Sequence, residues 1–175
     1  GLVGSEMCIR DSMKLVIRPF TAADAAVTRA IFYQSIHELA TNDYSPAQLD
    51  AWAPVNYNVQ QWAAQRSKAD TFVATVDGIS AGFADLIEGS GQTLLGEILI
   101  DMLFVRPPYQ GQGIASALLA QVQEEARTRG ATALVVQASK TARAFFERHG
   151  FKVKQENQVP LRGEVLTNFT MKKKL

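Results

Sequence analysis

The chain has 175 residues and a formal net charge of +1, from 18 Lys and Arg against 17 Asp and Glu. This length favours a single domain with one hydrophobic core. The near-zero charge argues against nucleic acid or a membrane surface as a partner, and no apolar run approaches the roughly 20 residues that span a bilayer.

The beginning of the chain differs from the rest. Residues 1–12 show no apolar periodicity, whereas Met13 is followed by an alternating apolar segment. We therefore expect residues 1–12 to be a non-native leader and residues 13–175 to form one domain. Cys8, the single cysteine of the chain, lies in this leader. The domain itself is then expected to contain no disulfide and no cysteine metal cluster.

Apolar periodicity and turn residues predict the elements of the domain in chain order. Two local signals are strong: Ser45-Pro46 begins a helix, and Asp77-Gly78 turns a hairpin. Strands are predicted over 15–20, 71–76, 80–88, 95–105, 133–138, 151–159 and 164–172. Helices are predicted over 21–40, 46–52, 58–67, 112–129 and 141–148. These elements predict an α/β protein (α+β with a mixed sheet).

A glycine-bearing turn joins the fourth predicted strand to the long helix. It reads Gln110-Gly111-Gln112-Gly113-Ile114-Ala115. The first N–H groups of a helix have no intrahelical partner and carry partial positive charge, so this position suits a phosphate. The turn is not GxxxxGK[ST], and it is not GxGxxG because Ser116 takes the place of the third glycine. The alternative is an ordinary turn that needs glycine only for its geometry.

The turn matches the pattern [Arg/Gln]-x-x-Gly-x-[Gly/Ala] and so resembles the pyrophosphate loop of the GNAT superfamily of N-acetyltransferases. The strand end Leu103-Phe104-Val105 and the segment 145–151 strengthen the match. Segments 44–52, 100–105 and 145–151 together resemble the YafP-type acetyltransferases. The resemblance implies a GNAT-like acyl-CoA N-acyltransferase fold, with a central twisted mixed sheet flanked by helices. It also implies acetyl-CoA (coenzyme A) as co-substrate, no metal, and acetyl transfer to a primary amine of a small molecule or peptide.

The resemblance also implies which residues bind the coenzyme. The strand end before the turn would contact the pantetheine arm, and the turn would bind the diphosphate. Ser139 stands where the family has an asparagine that bonds the arm, and a helix cap is an equal alternative for it. The predicted coenzyme-binding residues are Leu103, Phe104, Val105, Gln110, Gly111, Gln112, Gly113, Ile114, Ala115, Ser139 and Phe146.

Phe146 departs from the family pattern, which commonly has a tyrosine here that protonates the departing thiolate. A phenyl ring cannot donate a proton, so a water, Tyr109, Tyr44 or no acid at all serves the thiolate. Because the domain is expected to lack a cysteine, a cysteinyl acyl-enzyme is not available. We therefore expect direct transfer in a ternary complex.

Asp101 is the first candidate for the general base, because it is a carboxylate inside an apolar strand. Burial would raise its pKa and suit it to proton transfer; the alternative is a carboxylate that only pairs with a core arginine. Glu97, two alternations away, is the second candidate. The resemblance places the first helices beside the acceptor, which makes Tyr33, His37 and Tyr44 the candidate substrate residues.

Two other functions stay open at this point. Phe146 motivates a non-catalytic acyl-CoA-binding sensor or interaction module, and the turn alone would also suit another nucleotide. We expect a small-molecule or peptide amine as partner, with no nucleic acid and no membrane. An exposed edge among the last strands would permit a homodimer. The coenzyme and the lack of a signal segment favour a cytoplasmic location.

Overall fold

A computed structural model describes the backbone of residues 5–9 and the whole of residues 13–175. The strands are β1 (Ser5–Ile9), β2 (Met13–Pro19), β3 (Asp70–Val76), β4 (Ile79–Ile87), β5 (Glu97–Val105), β6 (Ala133–Ser139), β7 (Lys152–Leu161) and β8 (Glu164–Lys174). The helices are α1 (Ala25–Leu39), α2 (Pro46–Trp52), α3 (Val59–Lys68), α4 (Ile114–Thr128) and α5 (Arg143–Arg148).

The strands form one mixed sheet in the order β1-β2-β3-β4-β5-β6-β8-β7. The pair β5–β6 is parallel, with α4 as its crossover, and the other neighbouring pairs are antiparallel. The predicted mixed sheet flanked by helices is confirmed.

Ser5–Ile9 belongs to the sheet, although the sequence argument left residues 1–12 outside the fold. These residues pair antiparallel with Met13–Ile17 and form the edge strand next to β2. Sequence periodicity missed this strand because five residues are too few to show alternation clearly. The non-native origin of residues 1–12 stays a prediction. Residues 1–4 and 10–12 lie outside the described part of the chain.

Apolar side chains pack on both faces of the sheet. On one face α4 contributes Leu118 and Val122 to a cluster that also holds Leu86 of β4. On the other face Ile31 and its neighbours in α1 pack against Phe83, also of β4. Alternate residues of one strand point to opposite faces, so β4 is buried on both sides. This places the middle of the sheet, where β4 and β5 lie, between two helical layers.

The predicted helix 46–52 is confirmed to the residue, and the capping bonds explain why. Gln48 N donates to Ser45 Oγ at 3.1 Å, and Ser45 N donates to Gln48 Oε1 at 2.8 Å, which is a reciprocal capping box. By contrast, α4 begins at Ile114 and not at 112. Gly113 adopts a left-handed φ of 82°, which a helical residue cannot have.

Candidate active site

The strands β5 and β6 separate in their second halves. They pair from Glu97–Ile100 against Ala133–Val136, and no pairing continues beyond these residues. A cavity of about 170 Å³ fills the gap. Leu103 and Phe104 line it from β5, and Ala138 and Ser139 from β6. Because its walls are strand edges and apolar side chains, the cavity can hold a thin, extended chain.

The glycine turn lies at one end of this cleft. A second cavity, of about 360 Å³, shares Leu103, Phe104 and Ser139 with the first and reaches Gln110 and Ala115. The Gln110 side chain stabilises the turn, since its Nε2 donates to Val105 O at 2.7 Å. The cleft therefore runs from the turn into the gap between the strands.

The turn presents free donors to the cleft. Gly111 and Gly113 have φ angles of 75° and 82°, and a Cβ atom at either position would meet no other atom within 4 Å. The first helical bond of α4 runs from Ala117 N to Gly113 O at 3.1 Å. The N–H groups of residues 114–116 thus have no partner within the helix. Open space, free N–H groups and the positive helix end fit a diphosphate.

Three predicted residues form the wall of the cleft. Ser139 Oγ accepts from Ala142 N at 3.0 Å, so the capping role is present while the side chain still lines the cavity. Phe146 is 3% exposed and presents a ring with no hydroxyl. Tyr44 Oη donates to Thr167 O at 2.6 Å and accepts from Lys140 N at 3.0 Å. These bonds occupy the Tyr44 hydroxyl and connect the residue that follows β6 to the first half of β8.

Asp101 lies at the other end of the cleft, in a β-bulge that the sequence did not predict. The register between β4 and β5 shifts so that Asp85 pairs with Met102 and Leu86 with Ile100. Asp101 is the extra residue on β5. Bulges are common next to active sites, where they redirect a side chain. Asp101 lines both the 170 Å³ cavity and a further one of about 520 Å³.

The burial expected for Asp101 is not found. Its side chain is 30% exposed, and its Oδ2 accepts from Arg66 Nη2 at 3.1 Å. Arg66 is the core arginine that was the alternative explanation for this carboxylate. The guanidinium also pairs through Nη1 with the fully buried Asp85. Asp101 therefore serves as an ion-pair partner and also stands open to two cavities.

Of the two carboxylates that pair with Arg66, Asp85 is the buried one. It accepts from Met102 N at 3.0 Å and from Thr71 Oγ1 at 3.4 Å, besides Arg66. Burial raises the pKa of Asp85 from 3.8 to about 7, against the attraction of Arg66, and the charge of Asp101 adds to the rise. Asp85 was not predicted as a site residue, although a carboxylate within an apolar strand is the same signal that indicated Asp101.

The raised pKa of Asp85 predicts a pH dependence of stability. Because the folded protein binds this proton more tightly than the unfolded chain, protonation of Asp85 stabilises the fold. This stabilisation is complete below pH 3.8, the ordinary pKa of the carboxyl, and is lost as the pH rises through about 7. From about pH 5.5 to 8.5 we expect wild type to lose ~2 kcal/mol of unfolding free energy relative to Asp85→Asn. Denaturant titrations of both proteins across this range measure it. If the unfolding free energies of the two proteins change equally with pH, Asp85 does not have a raised pKa.

Glu97 is not brought to the cleft. Lys172 Nζ donates to its two carboxylate oxygens at 3.0 and 3.1 Å, and Leu94 N donates at 2.8 Å. Burial acts to raise the pKa of Glu97, but these donors outweigh it and hold the pKa below its ordinary value. Glu97 lies at the first residue of β5, beside the paired halves of β5 and β6. Its observed role is therefore an ion pair between β5 and β8.

The structure separates the three predicted substrate residues. Tyr44 lines the cleft. Tyr33 and His37 stack on each other with ring centroids 4.1 Å apart, and His37 Nε2 lies 2.7 Å from Ala53 O. Neither of these two lines any of the three cavities along the cleft, those of about 170, 360 and 520 Å³. The contact between His37 and Ala53 joins α1 to the end of α2.

The cavity of about 520 Å³ beyond Asp101 is the candidate acceptor site. It shares Phe32, Trp52 and Asp101 with the 170 Å³ cavity, so the two are neighbours along the cleft. Its remaining wall includes Arg29 and Arg162, which the sequence analysis did not single out. Within the described residues, no group of three or more His, Cys, Asp or Glu side chains is placed to hold a metal ion.

A diphosphate-type turn, a gap between two parallel strands and a carboxylate at its far end define an acyl-CoA-dependent transferase. Comparison with known proteins agrees with this class. Residues 40–175 match the family model described as the acetyltransferase (GNAT) domain. The chain is 35% identical over 158 residues to the uncharacterized N-acetyltransferase YafP of Escherichia coli K12, covering 90% of this chain and 95% of that protein.

Solved structures agree as well. A GCN5-related N-acetyltransferase from Rhodopseudomonas palustris superposes with a TM-score of 0.85 at 38% identity, covering 98% of this chain and all of that one. The PaiA N-acetyltransferase from Thermoplasma acidophilum, solved in complex with coenzyme A, shares the fold with a TM-score of 0.75 at 18% identity, over 92% of this chain and 99% of that one.

The chain therefore belongs to the GNAT family of N-acetyltransferases. Acetyl-CoA is the acetyl donor that this family uses. Among the helices of the described residues, none combines the length and hydrophobicity needed to cross a membrane.

Proposed function

We propose that this protein transfers an acetyl group from acetyl-CoA to a primary amine of a small molecule or peptide, directly in a ternary complex. The observation that carries the proposal is the row of three neighbouring cavities. It begins at the glycine turn, passes between β5 and β6, and opens beyond Asp101. Donor and acceptor can thus enter from opposite ends and meet beside Asp101.

Different parts of the three cavities bind different parts of the substrates. The N–H groups of the turn bind the diphosphate, and the facing edges of β5 and β6 hold the pantetheine arm extended. When bound, acetyl-CoA supplies the acetyl group as a thioester. The C–S bond breaks as the amine nitrogen bonds to the acetyl carbon, and the leaving thiolate takes a proton from water. Asp101 accepts the amine proton. Its partial exposure lets that proton pass on to solvent.

The proposal is tested by binding and by turnover. Titration with acetyl-CoA should release or absorb heat in a calorimeter and raise the melting temperature by about 5 °C or more at saturating ligand. A screen of primary amines with acetyl-CoA, read as free thiol, should identify at least one acceptor. Neither heat nor a melting shift at millimolar acetyl-CoA would defeat the proposal.

One observation favours a second candidate, a non-catalytic acyl-CoA sensor. Phe146 is buried in the cleft wall, and its ring offers no proton to a departing thiolate. Tyr44, the tyrosine of the described residues that line this cleft, has its hydroxyl bonded to Thr167 O and Lys140 N. Tight acyl-CoA binding without thiol release across a broad amine panel would favour the sensor.

A further inference from the structure

The acceptor cavity has opposite charges in its wall. Asp101 lies where this cavity meets the cleft. Arg29 of α1 and Arg162 of the β7–β8 turn line the same cavity. Among the residues that the structure describes, neither arginine forms an ion pair with a carboxylate. Arg66, which bonds to Asp101 without lining this cavity, has two carboxylate partners.

Arg29 is a buried cation without a counter-charge. The residue is 4% exposed, and its Nη2 donates to Pro54 O at 2.6 Å. Its guanidinium carbon lies 4.4 Å from the ring centroid of Tyr57 and 5.6 Å from that of Trp62. A carbonyl and aromatic faces only partly compensate the lost hydration of a cation. Arg29 therefore offers unused binding capacity for an anion.

The two guanidinium groups are close enough to repel each other. Burial lowers the pKa of Arg29; Tyr57 opposes this effect, and the positive charge of Arg162 adds to it. Two like charges without a counter-ion are unfavourable in a partly desolvated cavity. An anion between them would relieve both the desolvation and the repulsion.

The backbone at Arg162 is also unusual. Arg162 and Gly163 form the two-residue turn between Leu161 and Glu164, with φ angles of 45° and 83°. Such turns favour Asn or Gly at the first position, and a long side chain in the left-handed region is strained. The Arg162 Nη1 donates to Ala51 O at 2.6 Å, which fixes the guanidinium at the cavity. A strained turn that holds a cation in place points to a role in binding.

We propose that the acceptor is a small primary amine that also carries an anionic group, a carboxylate or a phosphate. Its anionic group binds Arg29 and Arg162, and its amine lies at Asp101. This inference rests on the proposed acetyl transfer and specifies its acceptor. Guanidinium groups suit both anions because their planar donors match two oxygen atoms at once. The rings of Trp52 and Phe32 line the same cavity and give it an apolar part of its wall.

Calorimetric titration with matched pairs of amines tests the inference. Phenylalanine is compared with phenylalaninamide, and phosphoethanolamine with ethanolamine, each with and without saturating CoA. We expect the anionic member of at least one pair to bind about tenfold or more tightly. The pair that shows the preference distinguishes carboxylate from phosphate. Equal affinity in both pairs, or no binding of any of the four compounds at millimolar concentration, would overturn the inference.

Variants of the exposed turn arginine complete the test. Arg162→Gln should remove most of the anionic preference, and Arg162→Lys should retain part of it. Arg127→Gln, which removes a cation on the surface near the end of α4, should leave the preference unchanged. A preference that survives Arg162→Gln in full would also overturn the inference. The CoA titration is read separately: if CoA does not bind, the acetyl transfer fails, while the amine pairs without CoA still report on the arginines.

Discussion

Gly111→Glu should weaken coenzyme binding strongly while leaving the protein folded. A Cβ at this position meets no atom within 4 Å, so the new side chain has room. It places a carboxylate in front of the N–H groups that we assign to the diphosphate, where it occupies the donors and repels the ligand. We expect the dissociation constant for CoA, measured by calorimetry, to rise at least about 100-fold, ~2.7 kcal/mol.

The control for this variant is Gly78→Glu. Gly78 has a φ of 82°, close to the 75° of Gly111, and it too has open space beyond its Cα. Both substitutions therefore impose similar backbone strain, about 1–2 kcal/mol. Gly78 lies in the β3–β4 hairpin and lines none of the three cavities. Gly78→Glu should lower the melting temperature as much as Gly111→Glu and leave CoA affinity intact. Similar CoA affinity in both variants would disprove the diphosphate assignment.

Most of the fold could be predicted because its helices and turns are specified by residues that are close together in the sequence. Ser45-Pro46 and Asp77-Gly78 each specify a cap or a turn within four residues, and the structure contains both. Two elements were predicted wrongly: a short strand was missed, and the long helix was predicted to begin two residues too early. Ser5–Ile9 is too short to show a period. The long helix was predicted to begin at residue 112, but Gly113 takes a left-handed φ and the helix begins at Ile114.

The candidate site was predicted less completely, for a different reason. The glycine turn could be identified because its function depends on the backbone and on glycines close in sequence. The pairing of Arg66 with Asp85 and Asp101 joins positions 19 and 35 residues apart. The bulge that presents Asp101 depends on the register between two strands. Neither depends on a repeating local pattern, so a single sequence does not show them.

The carboxylates show how burial and position separate two roles. Asp85 and Asp101 are both acids in apolar strands, and the sequence does not distinguish them. The structure encloses Asp85 among Arg66, Thr71 and Met102, where no amine can reach it. The bulge leaves Asp101 open to the cavities. We infer that Asp85 fixes the Arg66 guanidinium, and that Arg66 in turn orients Asp101.

Asp101→Asn should slow acetyl transfer by about 100-fold or more while CoA still binds. The amide keeps the size of the side chain and can still accept a hydrogen bond from Arg66 Nη2, but it cannot accept the proton of the amine. Positioned general bases typically contribute 10²–10⁴-fold. Steady-state rates of thiol release with the acceptor found by the amine screen measure the loss. Calorimetry with CoA should give the wild-type affinity.

A role confined to structure is distinguished by a matched variant and by the pH profile. Asp70→Asn removes another carboxylate that pairs with an arginine, Arg129, at a site outside the three cavities. It should alter stability without a comparable loss of rate. In Asp101→Asn the rate should rise with pH further than in wild type, because hydroxide and the free amine replace the missing base. If Asp101→Asn retains the wild-type rate and pH profile, Asp101 serves only as the ion-pair partner of Arg66. Solvent then accepts the proton of the amine.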